Sequence, residues 1–150
     1  MHKLSFKLAT VEDICPLLKI LKEYREFYQI NSQEDGEVET FLKERFANED
    51  SKIFIAAHES TGEVVGFIQL YPLFSTVSLK RQWMLNDLYV IESQRKKGIA
   101  TQLMKLVMDH FKDKAKGFIL VTSKTNVAAQ QFYDKIGWKT GDYSFYTYYF

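Results

Sequence analysis

The chain has 150 residues, 46% of them hydrophobic, and a formal net charge of +1. This length predicts one domain, 1–150, large enough to bury a core of its own. The balanced charge argues against a generic nucleic-acid-binding surface. No apolar run has the length of a membrane span, and the N-terminus lacks a signal-peptide pattern. The single cysteine, Cys15, excludes an intramolecular disulfide and favours a reducing, cytoplasmic location.

The first half of the chain predicts a strand, two helices and a hairpin. Leu4, Phe6 and Leu8 alternate with polar residues, as in a half-buried strand. Thr10 stands three residues before Asp13, which is typical of a helix N-cap. From there we expect a helix to about residue 28, with Cys15 packed inside the protein, then a polar linker over 31–36 and a second helix over 38–46. Two strands follow, over 53–57 and 64–71, with a turn over 59–62 between them. We expect the second of these strands to end at Pro72.

The second half predicts a strand–helix–strand passage and a final helix. We expect a strand over 79–91, a helix over 99–111, an apolar strand over 118–122, and a helix over 126–136 closed by Gly137. The passage predicts a parallel strand pair, because its connection is long enough to cross over. The aromatic residues after Trp138 predict the last strands of a sheet. No repeat or low-complexity segment interrupts this order.

A polar turn rich in cations separates the strand over 79–91 from the helix over 99–111. Its residues Arg95, Lys96 and Lys97 are positive, and Gly98 lets a ligand approach the backbone. The unpaired N–H groups of a helix start and the helix dipole favour an anion such as phosphate. The turn has neither the G-x-x-x-x-G-K-[ST] pattern of a Walker loop nor the G-x-G-x-x-G pattern of a dinucleotide fold.

Two motifs resemble one family. Arg95-x-x-Gly98-x-Ala100 is similar to the [QR]-x-x-G-x-[GA] acyl-CoA pyrophosphate loop of the GCN5-related N-acetyltransferases. The segment 126–138 resembles the same family's N-x-x-A-x-x-[FL]-Y-x-x-x-G-[FW] signature at every specified position. The resemblance implies an α/β fold, in which helices flank a mostly antiparallel mixed sheet that splays at one parallel strand pair. It also implies an acetyl-CoA-dependent acyltransferase that resembles the small polyamine and histone-type members.

The resemblance also assigns the residues that bind acetyl-CoA. In the family, the pantetheine arm lies in the splay and pairs with the strand before the phosphate turn, here 88–90. Asn126 bonds the pantetheine or simply caps its helix, and both roles are compatible. Phe132 borders the cofactor or packs within the protein. The full set is Leu88, Tyr89, Val90, Arg95, Lys96, Lys97, Gly98, Ile99, Ala100, Thr101, Asn126 and Phe132.

The resemblance implies direct attack of a neutral amine on the thioester. Tyr133 occupies the family's tyrosine position and would protonate the departing thiolate of CoA. The alternative is that Tyr133 is a core aromatic residue of its helix. A base is needed because an alkylammonium has a pKa of about 10. Asn86 stands where polyamine acetyltransferases often have Glu, and an amide cannot take a proton. The candidates are therefore Asp87, Glu23, Glu92 or a water chain, and Asp87 is equally well explained as a strand residue.

The acceptor is the least determined part of the prediction. We expect a primary amine of a small polyamine-like or amino-acid-like molecule. Alternatives are a protein lysine or N-terminus, and a non-catalytic acyl-CoA-binding module. The spacing of His and Cys predicts no metal site. We expect no nucleic-acid or membrane partner, and the aromatic C-terminus is compatible with a homodimer. A group of acidic residues has two interpretations: it attracts a cationic acceptor, or it forms a solvated surface. The group is Glu23, Glu26, Glu34, Asp35, Glu37 and Glu39.

Overall fold

The computed structural model describes residues 3–30 and 35–150, with the side chain of Asp35 left out. The predicted linker 31–36 therefore lies largely outside the described residues. Chain contacts divide the molecule into two compact units, residues 1–120 and residues 121–150. Each unit is described by itself below.

The first unit is built on a five-stranded mixed sheet. Its strands are β1 (Leu4–Leu8), β2 (Lys52–His58), β3 (Val64–Ser75), β4 (Lys80–Val90) and β5 (Phe118–Ile119), adjacent in that order. The first four pair antiparallel, and β5 pairs parallel to β4. The predicted fold class, a mostly antiparallel sheet with one parallel pair, is confirmed.

Helices cover both faces of the sheet. Helix α1 (Ile14–Phe27) packs on the face that carries Ile53 and Ile55. Helix α3 (Ile99–Phe111) packs on the other face, where the Phe111 ring centroid lies 6.1 Å from that of Phe54. Adjacent strand residues point to opposite faces. Strands covered on both faces have continuous apolar runs, as residues 53–57 of β2 and 64–68 of β3 do. Helix α2 (Asp35–Asn48) contacts α1.

Several local predictions are confirmed. Helix α3 has the predicted bounds. The backbone N–H of Thr10 donates to the carboxylate of Asp13 at 2.8 Å, closing the predicted capping box in front of α1. Gly62 in the β2–β3 turn has φ +74°, and Gly137, which follows the last helix, has φ +96°. Helix α2 starts earlier than predicted, at Asp35.

Pro72 does not end β3. The strand continues to Ser75, and Pro72 pairs with Trp83 of β4. Strand β2 pairs with β3 only as far as Leu70, so that Pro72 has a neighbouring strand on one side alone. Proline is tolerated at the edge of a sheet because there is no second neighbouring strand that requires a hydrogen bond from the N–H that proline lacks. The prediction of a strand end was wrong for this reason.

Cys15 does not pack in the core. It is exposed on α1, while Ile14, Leu17 and Ile20 form the buried face of that helix. Successive helical residues point about 100° apart, and the position after Ile14 therefore faces solvent. The prediction for Cys15 was wrong.

The predicted C-terminal strands are absent from the described residues. The second unit contains one helix, α4 (Val127–Lys135), and residues 139–150 have no regular structure. The predicted strand over 118–122 is also reduced to Phe118–Ile119. Aromatic strand propensity reflects packing against neighbouring strands, so that aromatic residues without such neighbours need not form a strand. The exposed aromatic residues of this tail are Tyr143, Phe145, Tyr146, Tyr148, Tyr149 and Phe150.

Candidate active site

Strand β4 has an open edge directly before the cationic turn. It pairs with β5 at two positions only, Trp83 with Phe118 and Met84 with Ile119. Among the described residues, the following stretch 85–90 pairs with β3 alone. An open strand edge presents N–H and C=O groups to which an extended ligand can pair. Leu88, Tyr89 and Val90, predicted to contact the cofactor, lie on this stretch.

The turn after β4 has the geometry of an anion site. A 3-10 turn, Glu92–Gln94, leads through Arg95 to Gly98, the N-cap of α3. Lys96 has φ +62° and Gly98 has φ +77°, both left-handed. The first N–H groups of a helix lack intrahelical partners, and the helix dipole adds positive potential there. The predicted residues Ile99, Ala100 and Thr101 supply these N–H groups.

Gly98 combines backbone freedom with open space. Its φ of +77° is one that side-chain-bearing residues rarely adopt, and no atom lies within 4 Å of where a Cβ would be. Ile99 is only 3% exposed and anchors the start of α3. Gly66 of β3 accommodates that anchor, because a Cβ there would lie 3.3 Å from both Ile99 and Leu103. The start of α3 is thus held against the sheet while the turn faces solvent.

The three cations of the turn are exposed and differ in their contacts. Arg95 donates from Nε to the carbonyl of Val90 at 2.9 Å, and its guanidinium lies 5.3 Å from the Tyr89 ring centroid. Lys97 donates from Nζ to Gln94 at 3.2 Å. Within the described part of the chain, the Lys96 side chain has no hydrogen bond or ion pair. Arg95 therefore braces the turn, a role that the sequence did not indicate.

Asp87 lies at a β-bulge in β4. Gln69 of β3 pairs with Asp87 and Leu70 pairs with Leu85, which leaves Asn86 as the extra residue. Adjacent side chains of a regular strand point to opposite faces. A bulge redirects them, and here Asn86 donates from Nδ2 to Oδ2 of Asp87 at 3.0 Å.

The carboxylate of Asp87 also binds a residue of α1. Tyr24 donates from Oη to Oδ1 of Asp87 at 2.8 Å. Burial raises the pKa of Asp87 above its usual value, while the hydrogen bonds from Asn86 and Tyr24 act in the opposite direction. The pKa of Tyr24 is raised strongly, first by burial and then by the negative charge of Asp87. Among residues 3–30 and 35–150, the hydrogen bonds to the Asp87 carboxylate therefore come from side chains.

Tyr24 carries no sequence signal that links it to Asp87. Its spacing on α1 marked it as one more residue of the buried face. A second tyrosine, Tyr71 of β3, also faces Asp87. Its pKa is raised by burial and then by the charge of Asp87, and it accepts a hydrogen bond from the buried Gln69. No local sequence signal connects these residues, because the pairing of β3 with β4 and the packing of α1 on the sheet bring them together.

The remaining predicted residues lie in the second unit. Asn126 caps α4, since its side chain accepts a hydrogen bond from the N–H of Ala129 at 3.2 Å. Tyr133 is half-buried, with ring centroids of Phe132 and Trp138 each 5.4 Å away.

The predicted acidic surface is partly engaged in local contacts. Glu39 forms an ion pair with Lys43 at 3.0 Å on α2. Glu26 and Glu37 are exposed, and Glu23 is half-buried. Glu34 and the side chain of Asp35 lie outside the described residues.

Residues 3–30 and 35–150 contain neither a metal-binding cluster nor a membrane-spanning helix. No three His, Cys, Asp or Glu side chains in these ranges gather into a group that could hold a metal ion. No helix in the same ranges is long and apolar enough to cross a membrane.

Comparison with known proteins identifies the family. The model of the acetyltransferase (GNAT) family matches residues 17–138. The N-acetyltransferase YhfO of Bacillus subtilis, which is uncharacterised, is 38% identical over 137 residues, covering 91% of this chain and 90% of its own. The D-amino-acid N-acetyltransferase HPA3 of Saccharomyces cerevisiae is 28% identical over 125 residues, covering 81% of this chain and 76% of its own.

A solved structure agrees with these relatives. The crystal structure of a probable acetyltransferase superimposes with a TM-score of 0.89 at 33% identity, covering 97% of each chain. The family's enzymes use acetyl-CoA and belong to the acyltransferases. The family match covers well over half of the chain, and the chain is therefore a member of the GNAT acetyltransferase family.

Proposed function

We propose that this chain transfers the acetyl group of acetyl-CoA directly to a primary amine of a small molecule. The observation that carries the proposal is the continuity of two features. The open edge of β4 over 85–90 leads straight into the turn that ends at Gly98. One segment thus offers main-chain groups to an extended arm and N–H groups to a diphosphate.

In this proposal the cofactor-binding residues divide by the part of acetyl-CoA that they hold. Leu88, Tyr89 and Val90 pair with the pantetheine arm through the backbone. The N–H groups of residues 98–101 bind the diphosphate, while Lys96 and Lys97 add positive charge. Arg95 keeps the turn in place through its bond to Val90. Asn126 and Phe132 are assigned to the pantetheine by the family motif that they match.

The chemistry needs one proton acceptor and one proton donor. Asp87 removes a proton from the acceptor's ammonium group, and the neutral amine attacks the thioester carbonyl carbon. A carbon–nitrogen bond forms and the carbon–sulfur bond breaks. Tyr133 protonates the departing thiolate, and the remaining amine proton passes to solvent. A backbone N–H beside the thioester oxygen would stabilise the oxyanion, a contribution of about 10²–10³ in rate for one donor.

The surroundings of Asp87 support an acceptor that carries a positive charge. The exposed ring of Tyr28 lies beside Tyr24 at a centroid distance of 5.1 Å, and the exposed ring of Phe27 contacts Tyr28 in turn. A carboxylate flanked by aromatic rings suits an ammonium group. The name of the relative HPA3 specifies a D-amino acid as its acceptor, which is compatible with a small amine here.

The test is a thiol-release assay with acetyl-CoA against polyamines, L- and D-amino acids, aminoglycosides and lysine peptides. We expect turnover with one class of small cationic amine and little with the peptides. Preferred turnover of peptides would instead support a protein acetyltransferase. Binding of acetyl-CoA without turnover of any amine would support a non-catalytic module.

Three further sequence predictions accompany this function. We propose that residues 1–150 act as a single N-acetyltransferase domain, that the protein is cytoplasmic, and that it forms a homodimer. The exposed aromatic rings over 143–150 support the dimer, because a second copy would cover them. Light scattering on the full chain and on a chain that ends at residue 140 tests this, with a dimer expected for the full chain only.

A further inference from the structure

Both oxygens of the Asp87 carboxylate are held by side chains. Tyr24 donates to Oδ1 at 2.8 Å, and Asn86 donates to Oδ2 at 3.0 Å. A carboxylate has about four lone-pair sites. Two donors therefore fix its orientation and leave further lone pairs for a substrate proton.

Tyr24 is itself fixed by its neighbours. Its ring centroid lies 5.3 Å from those of both Phe67 and Tyr89, and the Phe67 contact is edge-to-face. Phe67 and Tyr89 are cross-strand partners in β3 and β4. The hydroxyl of Tyr24 is thus aimed at Asp87 by one ring on β3 and one on β4, the strand that carries the carboxylate.

We propose that Tyr24 is a positioning residue that orients Asp87 as the proton acceptor for the amine, with Asn86 supporting the second oxygen. This inference rests on the proposed function, in which the acceptor's ammonium group gives a proton to Asp87 before attack. It also gives Asn86 a role. At the position where a glutamate would act directly, this chain has an amide that supports the neighbouring carboxylate.

The electrostatic surroundings of Asp87 come from α1 and β3. Tyr24 donates a hydrogen bond to the carboxylate, and the negative charge of the carboxylate raises the pKa of Tyr71. Behind them, Tyr28 faces Tyr24, and the Arg45–Asp50 pair faces Tyr71. Burial raises the pKa of Asp87, and the bonds from Asn86 and Tyr24 oppose that rise. Loss of either donor should therefore raise the pKa of Asp87 further.

The experiment compares Tyr24→Phe and Asn86→Ala with the wild type. Phenylalanine keeps the ring contacts of Tyr24, and Asn86 is exposed, so that both variants should fold. The carboxyl carbon of Asp87 is titrated by carbon-13 NMR, with Asp87→Asn to assign the signal. We expect its pKa to rise by about one unit in Tyr24→Phe, the effect of one hydrogen bond to a charged group. A rise is expected in Asn86→Ala as well, because the bond from Asn86 also lowers the pKa of Asp87.

The acid limb of the kcat/KM profile should move to higher pH by the same amount, because a protonated Asp87 cannot accept a proton. The KM for acetyl-CoA should not change. Tyr146→Phe removes a hydroxyl from an exposed ring of the C-terminal tail and is the matched control, with neither the titration nor the profile affected.

The outcomes separate this inference from the proposed function. An unchanged pKa of Asp87 in both variants would overturn the positioning role, even in an active enzyme. A raised pKa with an unmoved acid limb would also overturn it, because the proton acceptor would then be another group. Absence of turnover in the wild type would contradict the proposed function, whereas the NMR titration needs no substrate.

Discussion

Met84 of β4 pairs with Ile119 of β5, and none of the described residues that follow Met84 in β4 pairs with β5. The strand runs on for six residues, 85–90, with β3 on one side and an open edge on the other. The cationic turn begins immediately after this stretch. The end of one parallel pairing therefore creates an open edge next to the proposed anion-binding turn.

Gly98→Ala should weaken acetyl-CoA binding by about tenfold or more, because the new Cβ occupies the open space beside the N–H groups. The left-handed φ should also cost about 1 kcal/mol of folding free energy. Gly62→Ala is the matched control. Gly62 has φ +74° against +77° for Gly98, and neither has an atom within 4 Å of a Cβ. We expect the two variants to lose the same amount of stability in thermal unfolding. In calorimetry, only Gly98→Ala should bind acetyl-CoA more weakly.

Tyr133→Phe should lower kcat by about 10²-fold, the lower range for a lost general acid. The KM for acetyl-CoA should stay the same. The ring contacts with Phe132 and Trp138 are kept by phenylalanine, so the melting temperature should change little. Steady-state thiol release measures the effect. Unchanged turnover would reduce Tyr133 to a packing residue.

Asn126→Ala should destabilise the protein by about 1 kcal/mol, because the bond to the N–H of Ala129 caps α4. Asn126→Ser restores a capping oxygen and should recover most of that stability. The serine variant then isolates the proposed contact with the pantetheine. A raised KM for acetyl-CoA at normal stability indicates that contact, whereas a normal KM indicates that Asn126 is only a cap.

The stability of Asp87→Asn relative to the wild type should rise with pH. The folded pKa of Asp87 lies above its unfolded value near 3.9. The native state therefore holds this proton more tightly, and the contribution of Asp87 to stability is complete below the unfolded pKa and declines as pH rises through the folded pKa. Removing the carboxyl removes that decline.

Thermal unfolding of the wild type and of Asp87→Asn from about pH 3 to pH 8 measures this difference. Asp109→Asn, at an exposed position on α3, is the charge-matched control. A fall in the stability of Asp87→Asn relative to the wild type as the pH rises would mean that the folded protein favours the ionised carboxylate.

The sequence was most informative where the signal is local. The bounds of α3, the Thr10–Asp13 capping box and the left-handed Gly98 follow from helical spacing, capping chemistry and the tolerance of glycine for positive φ. Each depends on residues within a few positions of one another. The family motif added the cofactor-binding assignments to these elements.

Non-local relationships could not be predicted in this way. Tyr24 and Asp87 are 63 residues apart in sequence and meet only because α1 packs on the sheet. The bulge at Asn86 depends on the register between β3 and β4. The aromatic C-terminus was expected to form strands because strand propensity was read without knowing which strand would pair with it.

The central claim is that the backbone around Gly98 binds the diphosphate of acetyl-CoA. Isothermal titration calorimetry of the wild type, Gly98→Ala and Gly62→Ala with acetyl-CoA and with CoA tests it most directly. The account predicts saturable binding in the micromolar range for the wild type and Gly62→Ala, and much weaker binding for Gly98→Ala. The absence of binding heat with either ligand in the wild type, or equal affinity in all three proteins, would contradict it.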